Sequence, residues 1–206
     1  MKSILLIGRG PSVLRCKKEW VEKFDEIAIC NNIVVDGFEE NLGTHFDTWF
    51  RNLNCGFWLC EDGVKQLGLT KVVHITGFSS QEEKDELMKK YENLPIEQEC
   101  VGHEMSKWFL KKYSKLDPST GIRAFEYCVQ NNYDVIGTVG IDLHQRGEPI
   151  YFNRLSKKQG WPKGHDTGKS TDYMNKRIGE NPDIKFRIIS NAAVEKQDNV
   201  EFDLEF

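Results

Sequence analysis

The residues in this sequence that could do chemistry stand in a few short groups. Gly8-Arg9-Gly10-Pro11-Ser12 follows the apolar run Ile4-Leu5-Leu6-Ile7. Glycines there let a backbone approach a ligand closely, and a helix opening after them offers N–H groups to an anion. The run is not G-x-G-x-x-G, because residue 13 is Val. A structural strand-to-helix turn and a nucleotide site therefore fit it equally. Asp117-Pro118-Ser119-Thr120-Gly121 opens a second helical pattern. Pro, Ser and Thr suit a helix start for capping reasons, and they would also turn hydroxyls and the positive dipole end toward a phosphate. Gly140-Ile141-Asp142 ends an apolar strand pattern, where an acid binds a ribose or a polar substrate, or caps the next loop. His165 lies in a polar, glycine-containing stretch from Pro162 to Asp172. A loop histidine is ordinarily solvated; it becomes a general base where a substrate proton lies within reach. His45, His103 and His144 read the same way, and His74 sits inside a strand pattern as a structural residue.

The cysteines carry a different question. Cys16, Cys30 and Cys128 have apolar neighbours and read as small buried hydrophobes. Cys55, Cys60, Cys100 and His103 have ligand types suited to zinc, but neither pair is a C-x-x-C and the pairs stand far apart. Free thiols are the expectation, with a zinc-dependent interaction domain as the minor alternative.

The elements that must position these groups are those of an α/β chain. Ile4–Ile7 and Ile27–Cys30 read as strands joined through a helical pattern from 13 to 24, which makes a βαβ unit with parallel strands. Phe46–Phe50 and Val72–Thr76 read as further strands. Ser80 with Glu83 makes a capping box for a helix to Tyr91, and 104–113 reads as helical. A helix over 121–131 places Ile122, Phe125, Cys128 and Val129 on one face. Val135–Ile141 is a near-continuous apolar run, the pattern of a strand buried on both faces. A helix over 171–178 and a strand over 184–189 complete the pattern. The expected architecture is one α/β domain over 1–206, a Rossmann-like parallel sheet with helices on both faces. Residues 79–116 are expected to form a small helical lid or acceptor region.

Composition bounds the function. The 206 residues carry 39% hydrophobic and 29% charged positions, a globular balance. The net charge of −4 argues against a general nucleic-acid binder. No apolar run approaches the roughly 18 residues of a spanning helix, and the first residues make no secretory signal. A cytoplasmic protein is expected.

Taken in order, the groups resemble the sialyltransferases, first the bacterial CMP-sialic-acid-dependent enzymes and second the animal ones. Ile7-Gly8-Arg9-Gly10-Pro11-Ser12-Val13-Leu14 is similar to their G-N-G-P-S-L start, and Cys30-Asn31 to their Cys-Asn at the second strand end. Gly37-Phe38-Glu39-Glu40-Asn41-Leu42-Gly43 resembles part of the animal L motif, and Pro118-Ser119-Thr120-Gly121 the start of the S motif. Gly140-Ile141-Asp142-Leu143-His144-Gln145 resembles the bacterial G-I-D-F-Y-Q. Gly164-His165, with Ser170-Thr171-Asp172 downstream, is similar to G-H-S-x-N-T-D with a short insertion.

The resemblance implies a GT-A-like variant of the Rossmann-type fold and an inverting transfer of sialic acid from CMP-sialic acid to a glycan hydroxyl. It places Gly8, Arg9, Gly10, Ser12, Asn31, Asn52, Ser119, Thr120, Gly121, Gly140 and Asp142 around the donor. His165 would be the general base, with Tyr151 and His144 stabilising the departing phosphate. No cofactor and no metal are implied, because hydroxyls and a helix end would take the place of a cation. The partners are a CMP-activated sugar and an oligosaccharide or glycolipid acceptor, with peripheral membrane contact through the latter; no nucleic acid is implied, and the oligomeric state is left open. Three departures stand out. Arg9 replaces an Asn, Asp117 stands where a basic residue is usual, and the chain is short in its acceptor-binding part. They keep open transfer of another CMP-linked acid sugar, such as Kdo, and a degenerate module that binds nucleotide or glycan without turnover.

Overall fold

The computed structural model describes residues 1–52, 61–75, 81–89, 92–93, 95–113, 118–143, 151, 167–190 and 192–202. Its centre is β1 (Ser3–Ile7), whose Ile4, Leu5, Leu6 and Ile7 are fully buried. A strand apolar on both faces needs cover on both faces, and the chain provides it. β1 lies between β2 (Glu26–Cys30) and β6 (Val135–Val139), parallel to each. β3 (Thr48–Arg51), β4 (Lys71–His74) and β5 (Glu97–Cys100) extend the sheet beyond β2. β7 (Lys185–Ile189) and β8 (Val200–Phe202) extend it beyond β6. The order is β5-β4-β3-β2-β1-β6-β7-β8, and every pairing is parallel.

Helices cover both faces, as the alternation within the strands requires. Ile4, Leu6, Ala28, Phe50 and Val73 pack against α5 (Gly102–Lys112), α6 (Thr120–Gln130) and α7 (Thr167–Gly179). Leu5, Ile7, Ile29, Trp49 and Val72 face Trp20 of α1 (Lys18–Val21), Leu42 of α2 (Glu39–Leu42) and Val64 of α3 (Glu61–Gln66). The remaining helix, α4 (Gln81–Lys89), precedes β5. Among the described residues no helix is long and apolar enough to cross a membrane.

Two local readings change. The helix expected over 13–24 is broken into a 3-10 turn, Pro11–Arg15, and the single turn of α1. Cys16 and Lys17 between them are extended. Asn41 Nδ2 donates to the carbonyls of Leu14 (3.4 Å) and Cys16 (2.8 Å), backbone groups a continuous helix would have satisfied itself. Within 79–116 the chain is not wholly helical: β5 joins the sheet as an edge strand, and α5 buries Met105 and Phe109 in the core. The sequence Glu97-Gln98-Glu99-Cys100 has no apolar alternation to announce a strand. Backbone pairing with β4 holds it, and Lys71 Nζ on β4 reaches Glu97 (3.1 Å) and Glu99 (2.7 Å).

Candidate functional site

The chain leaves β1 toward β2 on one side and returns to β6 on the other, so the strand order reverses between β1 and β6. In open parallel sheets such a reversal leaves a crevice beyond the carboxyl ends of the strands. Here Gly8–Ser12 and Gly140–Asp142 meet at that point. Gly8 N donates to Val139 O and Gly10 N to Gly140 O, each at 2.7 Å. Gly140 N donates to Ser12 Oγ (2.9 Å), and Ser12 Oγ donates to Ile189 O (3.1 Å). Ser12 N donates to Asp142 Oδ2 (2.9 Å), whose other oxygen accepts from Ser190 Oγ (3.2 Å). The glycines are required by this closeness. A Cβ at Gly8 would stand 2.3 Å from Gly140 O, and one at Gly10 2.1 Å from Asp142 Oδ2.

Ser12 and Asp142 are thus buried struts that join the two turns, with Ser12 fully buried. The Ser12 hydroxyl and amide are committed to Gly140, Ile189 and Asp142.

Next to this seam lies a second convergence. Asn31 follows β2 in the left-handed region, at φ 61. That conformation costs most side chains about 1–2 kcal/mol, and Asn tolerates it better than most. Its Nδ2 donates to Thr120 Oγ1 (3.0 Å) and its Oδ1 accepts from Asn52 N (3.0 Å). Trp49 Nε1 fixes its carbonyl at 2.7 Å. The ends of β2 and β3 are in this way tied to the first turn of α6. Ser119 is the N-cap, accepting from Ile122 N at 3.4 Å. Gly121 lies on Ile141, where an added Cβ would meet the side chain at 3.2 Å. Asn31, Asn52, Thr120, Gly121 and Ile141 are thus linked at one end of the sheet.

Arg9 belongs to the turn after β1. Its guanidinium is half-buried, and Nη1 donates to Asn32 Oδ1 at 3.1 Å. Burial pushes the neighbouring Cys30 thiol up to about 12, and the Arg9 charge pulls it the other way. The Arg9 carbonyl accepts from Tyr151 N at 3.0 Å. Tyr151 itself is fully buried and packs edge-on against Phe38, with ring centroids 4.8 Å apart. Its hydroxyl donates to Val34 O (2.6 Å) and accepts from Val34 N (2.9 Å). Burial raises its pKa well above the ordinary phenol value. Tyr151 is therefore placed as a strut between the Arg9 turn and the chain after β2.

Two features were not singled out in the sequence. Arg51 ends β3 and is almost fully buried, in register with His74 at the end of β4. Burial lowers the His74 pKa to about 4, and the Arg51 charge adds to the effect. The signal for Arg51 was a cation closing an apolar run, Thr48-Trp49-Phe50-Arg51. The second feature is Glu126 on α6, fully buried between helices. Arg177 of α7 clasps it through Nε (2.8 Å) and Nη2 (3.1 Å), and the Tyr173 hydroxyl donates to it as well. This pair fixes α7 against the helix whose first turn holds Thr120.

His165, His144 and Asp117 lie outside the described residues, as do Cys55 and Cys60 of the zinc alternative. Among the described residues no group of three or more His, Cys, Asp or Glu side chains is arranged to hold a metal ion. Cys16, Cys30, Cys100 and Cys128 are free thiols.

No protein-family model matches the chain, and no curated protein matches it. Solved structures do. The sialyltransferase CstII from Campylobacter jejuni, in complex with cytidine-5'-monophosphate, matches at 17% identity and a TM-score of 0.64. That match covers 94% of this chain and 82% of CstII. The monofunctional α-2,3-sialyltransferase Cst-I from the same organism matches at 15% identity and a TM-score of 0.64, over 92% of this chain and 76% of Cst-I. A mammalian sialyltransferase matches at 14% identity and a TM-score of 0.56, over 90% of this chain and 68% of its own. At these identities the likeness shows the fold: the chain has the α/β architecture of sialyltransferases.

Proposed function

We propose that this protein transfers sialic acid from CMP-sialic acid to a glycan hydroxyl, with inversion at the anomeric carbon and without a metal ion. The observation that carries the proposal is the Asn31–Thr120 hydrogen bond at 3.0 Å. It brings together two motif residues 89 positions apart, at the end of the sheet where ligands of such folds bind. That the CstII complex holds CMP supports the same reading.

On this reading Asn31, Asn52, Ser119, Thr120 and Gly121 hold the nucleotide, and Gly8, Gly10, Ser12, Gly140 and Asp142 shape the floor beneath it. The acceptor hydroxyl attacks the anomeric carbon on the face opposite the nucleotide. The bond from that carbon to the phosphate oxygen breaks, and its electron pair leaves with CMP. The hydroxyl proton passes to His165, a group whose ordinary pKa suits a base near neutral pH. His144 would donate to the phosphate. Acceptors would be oligosaccharides or glycolipids, met in the cytoplasm or at a membrane surface.

The test is release of CMP from CMP-sialic acid in the presence of a galactoside acceptor array, beside a panel containing CMP-Kdo. Release from CMP-sialic acid alone is expected. A His165→Ala variant should bind CMP as the parent does and lose transfer. Release confined to CMP-Kdo would replace the sugar, and binding without turnover on any acceptor would replace the enzyme with a binding module.

A further inference from the structure

Thr120, the first residue of α6, meets Asn31 only while the start of that helix stays in place. The cap there is a long one. Ser119 Oγ accepts from Ile122 N at 3.4 Å, and the buried Pro118 before it has no N–H with which to be anchored. The Pro118 carbonyl also precedes the helix ladder, in which Arg123 N donates to Ser119 O at 3.0 Å. The side chain of that same arginine reaches back over the turn. Arg123 Nε donates to Pro118 O at 3.3 Å, and its Nη1 donates to Ser106 Oγ of α5 at 3.1 Å. The guanidinium lies over the Phe109 ring, 5.5 Å from its centroid. The far end of this brace is firmly seated. Phe109 is buried in the core and packs on Tyr173 of α7, with ring centroids 5.3 Å apart.

We infer that Arg123, braced by Ser106, is a positioning residue of the donor site: it holds the Pro118–Thr120 start of α6 where a nucleotide needs it. The inference rests on the donor reading above and extends it to two residues that belong to none of its motifs. A guanidinium is planar and its donors are forked at fixed angles, so one group bonded to two elements also sets the distance between them. Both of its bonds here carry a charged donor, which makes them stronger than the neutral Ser119 cap they support. Arg123 is half-buried, so water competes for these bonds only in part. The chain runs from the core-seated Phe109 through Ser106 and Arg123 to Pro118, and from there through Ser119 to Thr120 and Asn31. A change on α5 should therefore be felt as a change in nucleotide affinity.

The test is calorimetric titration of the full chain with CMP, beside a thermal melt of each variant without ligand. Arg123→Met should weaken CMP about threefold to thirtyfold, the span of coupling carried through packed neighbours. Arg123→Lys should recover part of the loss, having charge but no fork. Ser106→Ala should weaken CMP less than Arg123→Met and add nothing in the Arg123→Met background, because it acts through that guanidinium. Ser106→Thr, which keeps the hydroxyl, should bind CMP as the parent does. The two Ser106 variants give the answer even where Arg123→Met fails to fold. A purely structural role would lower the melting temperatures and leave the CMP affinity of the folded variants at the parent value. That result would overturn the inference and leave the donor reading standing. A parent that does not bind CMP would overturn the donor reading and this inference with it.

Discussion

The Ser12 hydroxyl accepts a hydrogen bond from the Gly140 amide at 2.9 Å, across 128 positions of sequence. With the Ser12 amide on Asp142 at 2.9 Å, it seals the floor of the crevice between β1 and β6. Ser12→Ala leaves the buried Gly140 N–H unpaired, which costs about 1–3 kcal/mol. Asp142→Ala should cost a similar amount by stranding the Ser12 amide. The two residues share one network, so the double variant should lose less than the sum. Urea titrations of the three variants measure this; strict additivity would show that the contacts act separately.

Asn31 combines an unusual backbone with two side-chain bonds, and substitution separates them. Asn31→Ala keeps φ 61 but loses the bonds to Thr120 and Asn52. Asn31→Gly loses the same bonds without the left-handed penalty. The Gly variant should therefore be more stable than the Ala variant by about 1 kcal/mol, while both bind CMP equally poorly. Thermal melts and CMP titration give the two readings.

Glu126 and Arg177 set α7 against α6. Arg177→Met leaves the fully buried Glu126 carboxylate without its cation and should cost about 3–5 kcal/mol. Replacing the pair together with Leu and Met should cost much less, because no buried charge is stranded. Denaturation midpoints of the single and double variants decide it. Equal losses would mean that charge pairing is not what holds the helices.

His74 makes stability depend on pH. Its folded pKa is lowered from 6.5 to about 4 by burial and by Arg51. The unfolded chain therefore takes up a proton between these values and the folded chain does not. Stability from this source is complete above pH 6.5 and falls as pH drops toward 4. The loss between pH 7 and pH 5 should be about 2 kcal/mol. A His74→Gln variant should flatten the slope in that window. A slope equal to that of the parent would assign the effect to other groups.

The sequence by itself determined which stretches would be buried and which would turn. Ile4–Ile7 is apolar at every position and Val135–Val139 nearly so, so they had to lie at the centre of a sheet covered on both faces. Gly8, Gly10 and Gly140 marked places without room for a side chain, and Ser119 with Thr120 marked a helix start. It did not determine β5, since Glu97-Gln98-Glu99-Cys100 is held by backbone pairing with β4, with Lys71 reaching its glutamates, rather than by its own pattern. Nor did it separate ligand-facing groups from struts. A serine after two glycines reads the same whether its hydroxyl meets a phosphate or Gly140, and a tyrosine the same whether it faces a substrate or Val34. Those assignments depend on which carbonyl or amide another strand delivers at about 3 Å. That delivery is set by strand order and register, long-range relationships that no local run of residues encodes. The tertiary structure alone buried Ser12 and Tyr151 completely.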